Sequence, residues 1–355
     1  MVSPGAFIER IGAAHPILLA PMAGAGGVGL AAAAMAGGAA GALPCSLLTP
    51  GALRSQYEEL RSRASGPINL NFFCHRMGPP PDESVWKKLL APFYADCQVG
   101  PPVTPPPIRA PFDGQMADVV AELKPEIISF HFGLPDEPLL ERARASGALI
   151  IASATSVSEA RWLANQGVDA VIAQGWEAGG HAGRFLGGDP AHHMGLMALI
   201  PQIVDVVDVP VIAAGGIADG RGIAAALMLG ASAVQIGTAY LHCPESLIHE
   251  PHRAALTSDA AERTMFTNLF TGGLARGVPN RLMTALGPIR EEAPPFPYAA
   301  NALARLRTVD PGGFGPLWSG QASRLSRPLP ARTLTEQMAA DALALLGRTG
   351  KGWPV

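Results

Sequence analysis

The chain has 355 residues, 48% hydrophobic and 15% charged, with a net charge of −3, which is ample for a large buried core. Lys and Arg are scattered singly rather than in runs, which excludes a basic nucleic-acid-binding face. The four cysteines, at 45, 74, 97 and 243, show neither C-x-x-C nor metal-ligand spacing, which argues against a disulfide framework and for a reducing, cytoplasmic setting.

The first apolar stretch, "PILLAPMAGAGGVGLAAAAMAGGAAGAL", is neither a signal peptide nor a membrane span. Pro16 and Pro21 interrupt it, and Ala and Gly supply too little hydropathy for a span of about 20 residues. It reads as a strand, a glycine loop and an Ala-rich helix. Short apolar runs then alternate with helix-like segments. The predicted strands are 16–22, 39–45, 68–73, 126–132, 149–154, 170–175, 210–216 and 233–238. Between them lie segments such as "SVSEARWLANQG", with Ser156 as N-cap, Glu159 three residues on and Gly167 as a stop, and "DGRGIAAALMLG", closed by Gly230.

Eight strands, each too apolar to face water, predict an α/β protein with a parallel sheet. Eight repeats favour a (β/α)8 TIM barrel over an open doubly wound sheet. The open sheet is the alternative, because "GAGGVG" follows the first strand in G-x-G-x-x-G form. No Asp or Glu follows the second strand, where "ALPCS" stands instead.

Three segments lie outside the alternation. "GPPVTPPPIRAP" (100–111) reads as a stiff polyproline-like connector. Residues 263–330 are Gly- and Pro-rich and read as a small cap over a barrel of residues 1–262. Residues 331–355 hold a helix that packs on the barrel, with Thr333 and Glu336 as a capping box and Leu334, Met338, Ala342 and Leu345 on one face.

Barrel chemistry collects where the strands end. Here those ends carry amides, glycines and imidazoles: Met22 after the first strand, Asn69 and Asn71 on the third with Cys74 and His75 beyond, His131 on the fourth, and Gln174 on the sixth. The seventh ends in Gly215-Gly216 and the eighth in Gln235, Gly237 and Thr238. There is no carboxylate cluster, so no metal is expected. The two last loops suit a phosphate, received by bare backbone N–H groups, or they are simply tight turns. His131, at the mouth of an apolar strand, is either a satisfied core histidine or a site residue. His192-His193 reads as a solvated helix start, Glu177 as a surface or site carboxylate, and Cys45 and Cys74 as small apolar fillers.

The motifs "APMAG" (20–24), "NLNFF" (69–73), "SFHFG" (129–133), "AQGWEAGGHAGRF" (173–185), "PVIAAGGIADGRG" (210–222), "AVQIGTAYL" (233–241), "ARGVPNR" (275–281) and "LWSGQA" (317–322) run in order over most of the chain. Together they resemble the nitronate monooxygenase (2-nitropropane dioxygenase) family, most closely its class I members. The resemblance implies FMN on a (β/α)8 barrel, contacted by Met22, Asn71, Gln174, Gly179, Gly180, Gly215, Gly216, Gln235, Gly237 and Thr238. It implies His131 as the catalytic residue, with His181 and His75 as pocket candidates. A near-neutral imidazole suits proton abstraction from a nitroalkane or stabilisation of a nitronate anion.

The implied activity is oxidation of an alkyl nitronate, such as propionate 3-nitronate, by FMN and O2 to a carbonyl compound and nitrite. The partners are then small molecules, not nucleic acid or membrane, and the chain is a monomer or homodimer. Two other functions fit parts of the pattern: an NAD(P)H-dependent flavin reductase acting on enoyl thioesters or quinones, and a non-catalytic barrel that binds a phosphate ligand.

Overall fold

The computed structural model describes residues 4–103 and 109–347. In chain order the strands are β1 (Ile17–Leu19), β2 (Gly41–Pro44), β3 (Ile68–Phe73), β4 (Ile127–His131), β5 (Leu149–Ala154), β6 (Ala170–Gln174), β7 (Gly180–His181), β8 (Val211–Ala214), β9 (Ala233–Ile236), β10 (Met265–Thr267) and β11 (Ala275–Gly277). Eight of them form one parallel sheet in the order β1-β9-β8-β6-β5-β4-β3-β2. The ends of that order meet through Leu18 and Ala40, with Leu19 N–H donating to Ala40 O and Ala40 N–H to Ile17 O, both at 2.9 Å. The sheet is therefore the closed barrel and not the open alternative. Each of the eight predicted strands contains one barrel strand. The centre of the polyproline-like connector, 104–108, and the chain beyond 347 lie outside the described residues.

Strand alternation decides which side chains reach the site. Successive residues of a strand point to opposite faces. In β4, Ile128 and Phe130 join the outer core beneath the helices, and Ile127 joins the inner one. In β5, Ile150 and Ala152 face outward and Ile151 inward; in β6, Val171 and Ala173 face outward and Ile172 inward. Carrying the same parity to the strand ends directs His131, Ser153 and Gln174 into the barrel. Asn71 on β3 and Gln235 on β9 follow by the same rule, since Leu70, Phe72, Val234 and Ile236 belong to the outer core. The interior is thus apolar at the strand starts and polar at their ends.

The apolar end is closed by a helix the sequence pattern did not reveal, Pro4–Ile11. Its Phe7 and Ile11, each 1% exposed, pack with Leu18, Ala40, Ile127 and Ala170. At the opposite end, β10, β11 and β7 form a small antiparallel sheet, so a barrel loop supplies one strand of the cap. The cap's apolar cluster holds Leu269, Phe270, Leu303, Leu306 and Phe314, and also Trp86, Leu90 and Tyr94 from the helix Ser84–Asp96. The loop after β3 thus contributes to the cap alongside residues of the 263–330 region.

The last helix spans Ala331–Leu346. Thr333 is therefore not its N-cap, since the helix begins two residues earlier behind Pro330. Its first N–H, of Ala331, is accepted instead by the Glu245 carboxylate, at 3.1 and 3.2 Å. Leu334, Met338 and Ala342 are buried as the pattern predicted. The helix lies so close to Gly220 that a Cβ there would stand 2.5 Å from the Asp341 Cβ.

The plug helix yields a stability prediction. Phe7→Ala should cost about 3 kcal/mol, the scale for a fully buried aromatic, read as a lower urea midpoint with an unchanged slope. An unaltered midpoint would show that the helix does not seal the barrel.

Candidate active site

A cavity of about 660 Å³ opens at the C-terminal ends of the barrel strands, beneath the cap. Met22, Asn71, His131, Gln174, Gly179, Gly180, His181, Gly215, Gly216, Gln235, Gly237 and Thr238 all line it. His75 is not among the lining residues. Its ring stands edge-on to Phe296, with centroids 4.7 Å apart. The cap adds Thr271, Pro297, Arg307, Trp318 and Gly320 to the wall.

His131, half-buried, is held at both ring nitrogens. Nδ1 lies 3.1 Å from Ser153 Oγ and Nε2 lies 3.2 Å from the His181 carbonyl oxygen. The same carbonyl accepts from Gln174 Nε2 at 2.9 Å, while Gln174 Oε1 accepts from Gly183 N–H at 2.7 Å. Gln174 therefore braces the loop after β6. Gly183 lies against the imidazole, where a Cβ would come within 2.6 Å of Cε1. Burial pushes the His131 pKa down to about 4, against a smaller upward effect of the His181 carbonyl, so the ring is neutral at pH 7. His181 itself bonds through Nε2 to Thr271 Oγ1 at 2.9 Å. Burial, with the charge of Arg109 second, holds its pKa well below the usual range.

Two polar atoms are oriented for a ligand. Gln235 Oε1 is buried with no partner among the described residues, an arrangement that carries a penalty unless a donor arrives. Asn71 donates through Nδ2 to Ser129 Oγ at 2.9 Å, and no described residue donates to its carbonyl. Neutral amides of this kind suit a heterocycle edge with carbonyls and ring N–H groups. Gly215 and Gly216 take φ of +111° and +70°, the left-handed region that favours glycine. A Cβ on Gly215 would lie 3.0 Å from Ala178 N. Thr238 Oγ1 accepts from Gly320 N–H at 2.9 Å, which leaves its own proton free to donate.

The ionisable lining is entirely basic. Arg109, Arg307, His131, His181, His249 and His252 line the cavity, with no Asp, Glu or Lys among the described residues. Arg109 Nε is buried and has no partner among the described residues. Burial, and then the Arg307 charge, bring the Arg109 pKa down to about 10. The carboxylates near the site are turned to main-chain N–H groups. Glu159 accepts from Thr155 N and Phe185 N, both at 2.7 Å. Glu177 accepts from Leu196 N at 2.9 and 3.0 Å, at the start of the helix Leu196–Val204. Arg276, 2% exposed, donates to the carbonyls of Trp176 and Thr264 at 3.0 and 2.9 Å and lies 4.3 Å from the Phe266 centroid, so it ties the cap to the loop after β6.

The adjacent histidines separate. His192 is exposed, but His193 is buried and its Nε2–H donates to Gln174 O at 2.8 Å. The solvated start predicted for both therefore holds only for His192. No group of residues suited to a metal occurs among the described residues, and no described helix is long and apolar enough to cross a membrane.

A closed (β/α)8 barrel with a histidine on an inward strand end, under a cap and beside glycine turns, defines a barrel enzyme that works on a bound small molecule. Comparison with known proteins fixes its family. The family model "Nitronate monooxygenase" matches residues 6–341. Nitronate monooxygenases of Paraburkholderia phytofirmans and Pseudomonas aeruginosa are 40% and 39% identical over 94% of this chain, and 93% and 98% of theirs. Among solved structures, nitroalkane oxidase from Streptomyces ansochromogenes superposes with a TM-score of 0.88 at 35% identity, covering 98% of this chain and all of that one. FabK from Thermotoga maritima superposes with a TM-score of 0.72 at 26% identity, covering 97% of each chain. The chain belongs to the nitronate monooxygenase family and is a flavin-dependent oxidoreductase.

The depressed histidines set a pH dependence of stability. His131, His75 and His252 fall from 6.5 to about 4 on burial. Between those values the unfolded chain binds protons that the folded one does not, so stability is complete above about 6.5 and is lost as pH falls towards 4. Urea midpoints should drop between pH 7 and pH 5, less steeply in His131→Asn. Parallel profiles for the two proteins would show that His131 is not held neutral by the fold.

Proposed function

We propose that the chain is an FMN-dependent nitronate monooxygenase that oxidises alkyl nitronates with O2 to carbonyl compounds and nitrite, and that its preferred substrates carry a second negative charge, as propionate 3-nitronate does. The observation that carries this reading is the all-basic ionisable lining of the cavity. An anion entering it meets Arg109 and Arg307, neither of which has a carboxylate partner among the described residues, and guanidinium groups match planar carboxylate and nitronate oxygens.

The residues present fit FMN. Gly215, Gly216, Gly237 and Thr238 would receive its phosphate. Asn71 and Gln235 would pair with the ring edge, and Met22, Gln174, Gly179 and Gly180 would line the remainder. FMN, when bound, supplies the electron acceptor. His131, neutral at working pH, accepts a proton from a neutral nitroalkane rather than supplying a positive charge; the charge for the nitronate oxygens comes from the arginines. The cap and the aromatic groups Phe73, Phe296 and Trp318 limit water around the reacting atoms.

Anaerobic mixing of the purified yellow protein with propionate 3-nitronate should change the flavin absorbance, and admission of O2 should release nitrite. Bleaching by NADH with no response to any nitronate would replace this reading with a flavin reductase. Arg109→Gln and Arg307→Gln should each raise KM for propionate 3-nitronate roughly tenfold, the scale of one charge-assisted contact, and raise it far less for uncharged ethylnitronate. Equal effects on both substrates would refute the second-charge assignment. Gly216→Asp places a side chain and a negative charge in the left-handed turn assigned to the phosphate. It should purify folded but without flavin, and full flavin content would move the phosphate elsewhere.

A further inference from the structure

We infer that His131 is held in the neutral tautomer with its proton on Nε2, leaving Nδ1 as the nitrogen that receives a proton, and that Ser153 is a positioning residue whose hydroxyl donates to that nitrogen and fixes the orientation of the ring. The polarity of the network is set by two main-chain groups that have no choice of role. Gly183 N–H can only donate, so the Gln174 amide must turn Oε1 towards it at 2.7 Å and its NH2 towards the His181 carbonyl at 2.9 Å. That carbonyl can only accept, so His131 Nε2, 3.2 Å away, carries the hydrogen. A neutral imidazole has one N–H. Nδ1 therefore presents a lone pair, and Ser153 Oγ at 3.1 Å must be the donor to it.

The fold holds the pair in place. Phe130 on β4 is in register with Ala152 on β5, so His131 and Ser153 are the next inward residues on adjacent strands. Both line the cavity. Gly183 closes the other side of the ring, 2.9 Å from Nδ1 at the position a Cβ would take. A ring fixed in this way cannot exchange its two nitrogens without breaking the His181 contact. Without the Ser153 hydroxyl the His181 carbonyl still keeps the hydrogen on Nε2, but Nδ1 loses its only donor among the described residues and the ring is held at one nitrogen alone. The kinetic consequence rests on the proposed oxidation of nitronates and nitroalkanes; the tautomer itself does not.

The test uses the purified, flavin-containing protein labelled with 15N in its histidine rings. Multiple-bond 1H–15N spectra at pH 7, with the His131 signals assigned by their loss in His131→Asn, should show a protonated Nε2 and an unprotonated Nδ1. Ser153→Ala should keep the proton on Nε2 but move the Nδ1 shift downfield, as an unprotonated nitrogen does when it loses a hydrogen-bond donor, and Ser153→Thr should restore the wild-type pattern. In parallel, the kcat/KM of Ser153→Ala should fall about tenfold with nitroethane, the low end for disturbing an acid–base group, and fall less with ethylnitronate, which has already lost its proton. Protonation of Nδ1 in the wild type would overturn the inference, as would an unchanged His131 pattern in Ser153→Ala. Should Ser153→Ala not fold, the wild-type spectrum still decides which nitrogen carries the proton. If the wild type shows the expected tautomer but oxidises neither substrate form, the functional reading fails and the tautomer assignment stands.

Discussion

Gly179 and Gly320 approach each other backbone to backbone, and neither has room for a Cβ. A Cβ on Gly179 would lie 2.4 Å from Gly320 N, and one on Gly320 would lie 2.7 Å from Glu177 O. This contact joins the cap to the barrel at the loop that carries the site. Around it, Gln321 N–H donates to Glu177 O at 3.0 Å and Gly320 N–H to Thr238 Oγ1 at 2.9 Å. One residue further on, Gly180 and His181 pair with Arg276 and Ala275 in the cap sheet. The loop is therefore held from above by main-chain pairing and from below by Gln174. The His181 carbonyl sits between the two, and through it the cap governs the orientation of His131. Buried main-chain groups that must all be paired make such a junction rigid, and rigidity is what a proton-accepting ring requires.

The electrostatics of the cavity follow from where the acids went. The chain as a whole is slightly acidic, yet no carboxylate among the described residues lines the cavity. Surface carboxylates pair with arginines, as in Arg54–Glu122 and Arg142–Asp118. The buried Glu159 is saturated by the N–H groups of the β5 end and the loop after β6. Glu177 serves the start of a helix. Barrel architecture provides many N–H groups at loops and helix starts, and these absorb the negative charge that would otherwise repel an anionic ligand. Arg109 Nε is left without a partner among the described residues.

Much of this was legible in the sequence, for identifiable reasons. Eight buried parallel strands produce eight apolar runs, and the inward polar residues stand out because they interrupt those runs at their ends, as His131 and Gln174 do. Ser153 did not stand out, because a serine in "LIIASA" is too small to disturb the pattern, and its function depends on a neighbour 22 residues away. Arg109 lies within the proline-rich connector 100–111, whose composition masks it. Arg307 belongs to an ordinary amphipathic helix, Ala300–Val309, and reaches the cavity only because that helix packs on Trp86 and Tyr94. The Thr333 cap was misplaced because the capping-box pattern is local, whereas the acceptor in use, Glu245, comes from a distant loop.

The turn after His131 shows how the cap and β4 depend on each other. Phe132 adopts φ +68°, a left-handed conformation that costs a non-glycine residue roughly 1 kcal/mol or more. Gly133 follows at φ +85°, so the chain leaves β4 through two successive left-handed residues and turns sharply off the strand axis. A strained turn of this kind persists only when its surroundings over-determine it. Phe132 packs at 5.2 Å from Phe73, 5.2 Å from Phe296 and 4.6 Å from His131, measured between ring centroids. Aromatic contacts of that geometry contribute about 0.5–1.5 kcal/mol each beyond area burial, enough to offset the strain. Phe296 belongs to the cap, so part of the energy that keeps His131 at the end of its strand comes from a segment nearly 165 residues away in sequence, and the cap acts on the His131 ring from two directions, through Phe296 on one side and the His181 carbonyl on the other.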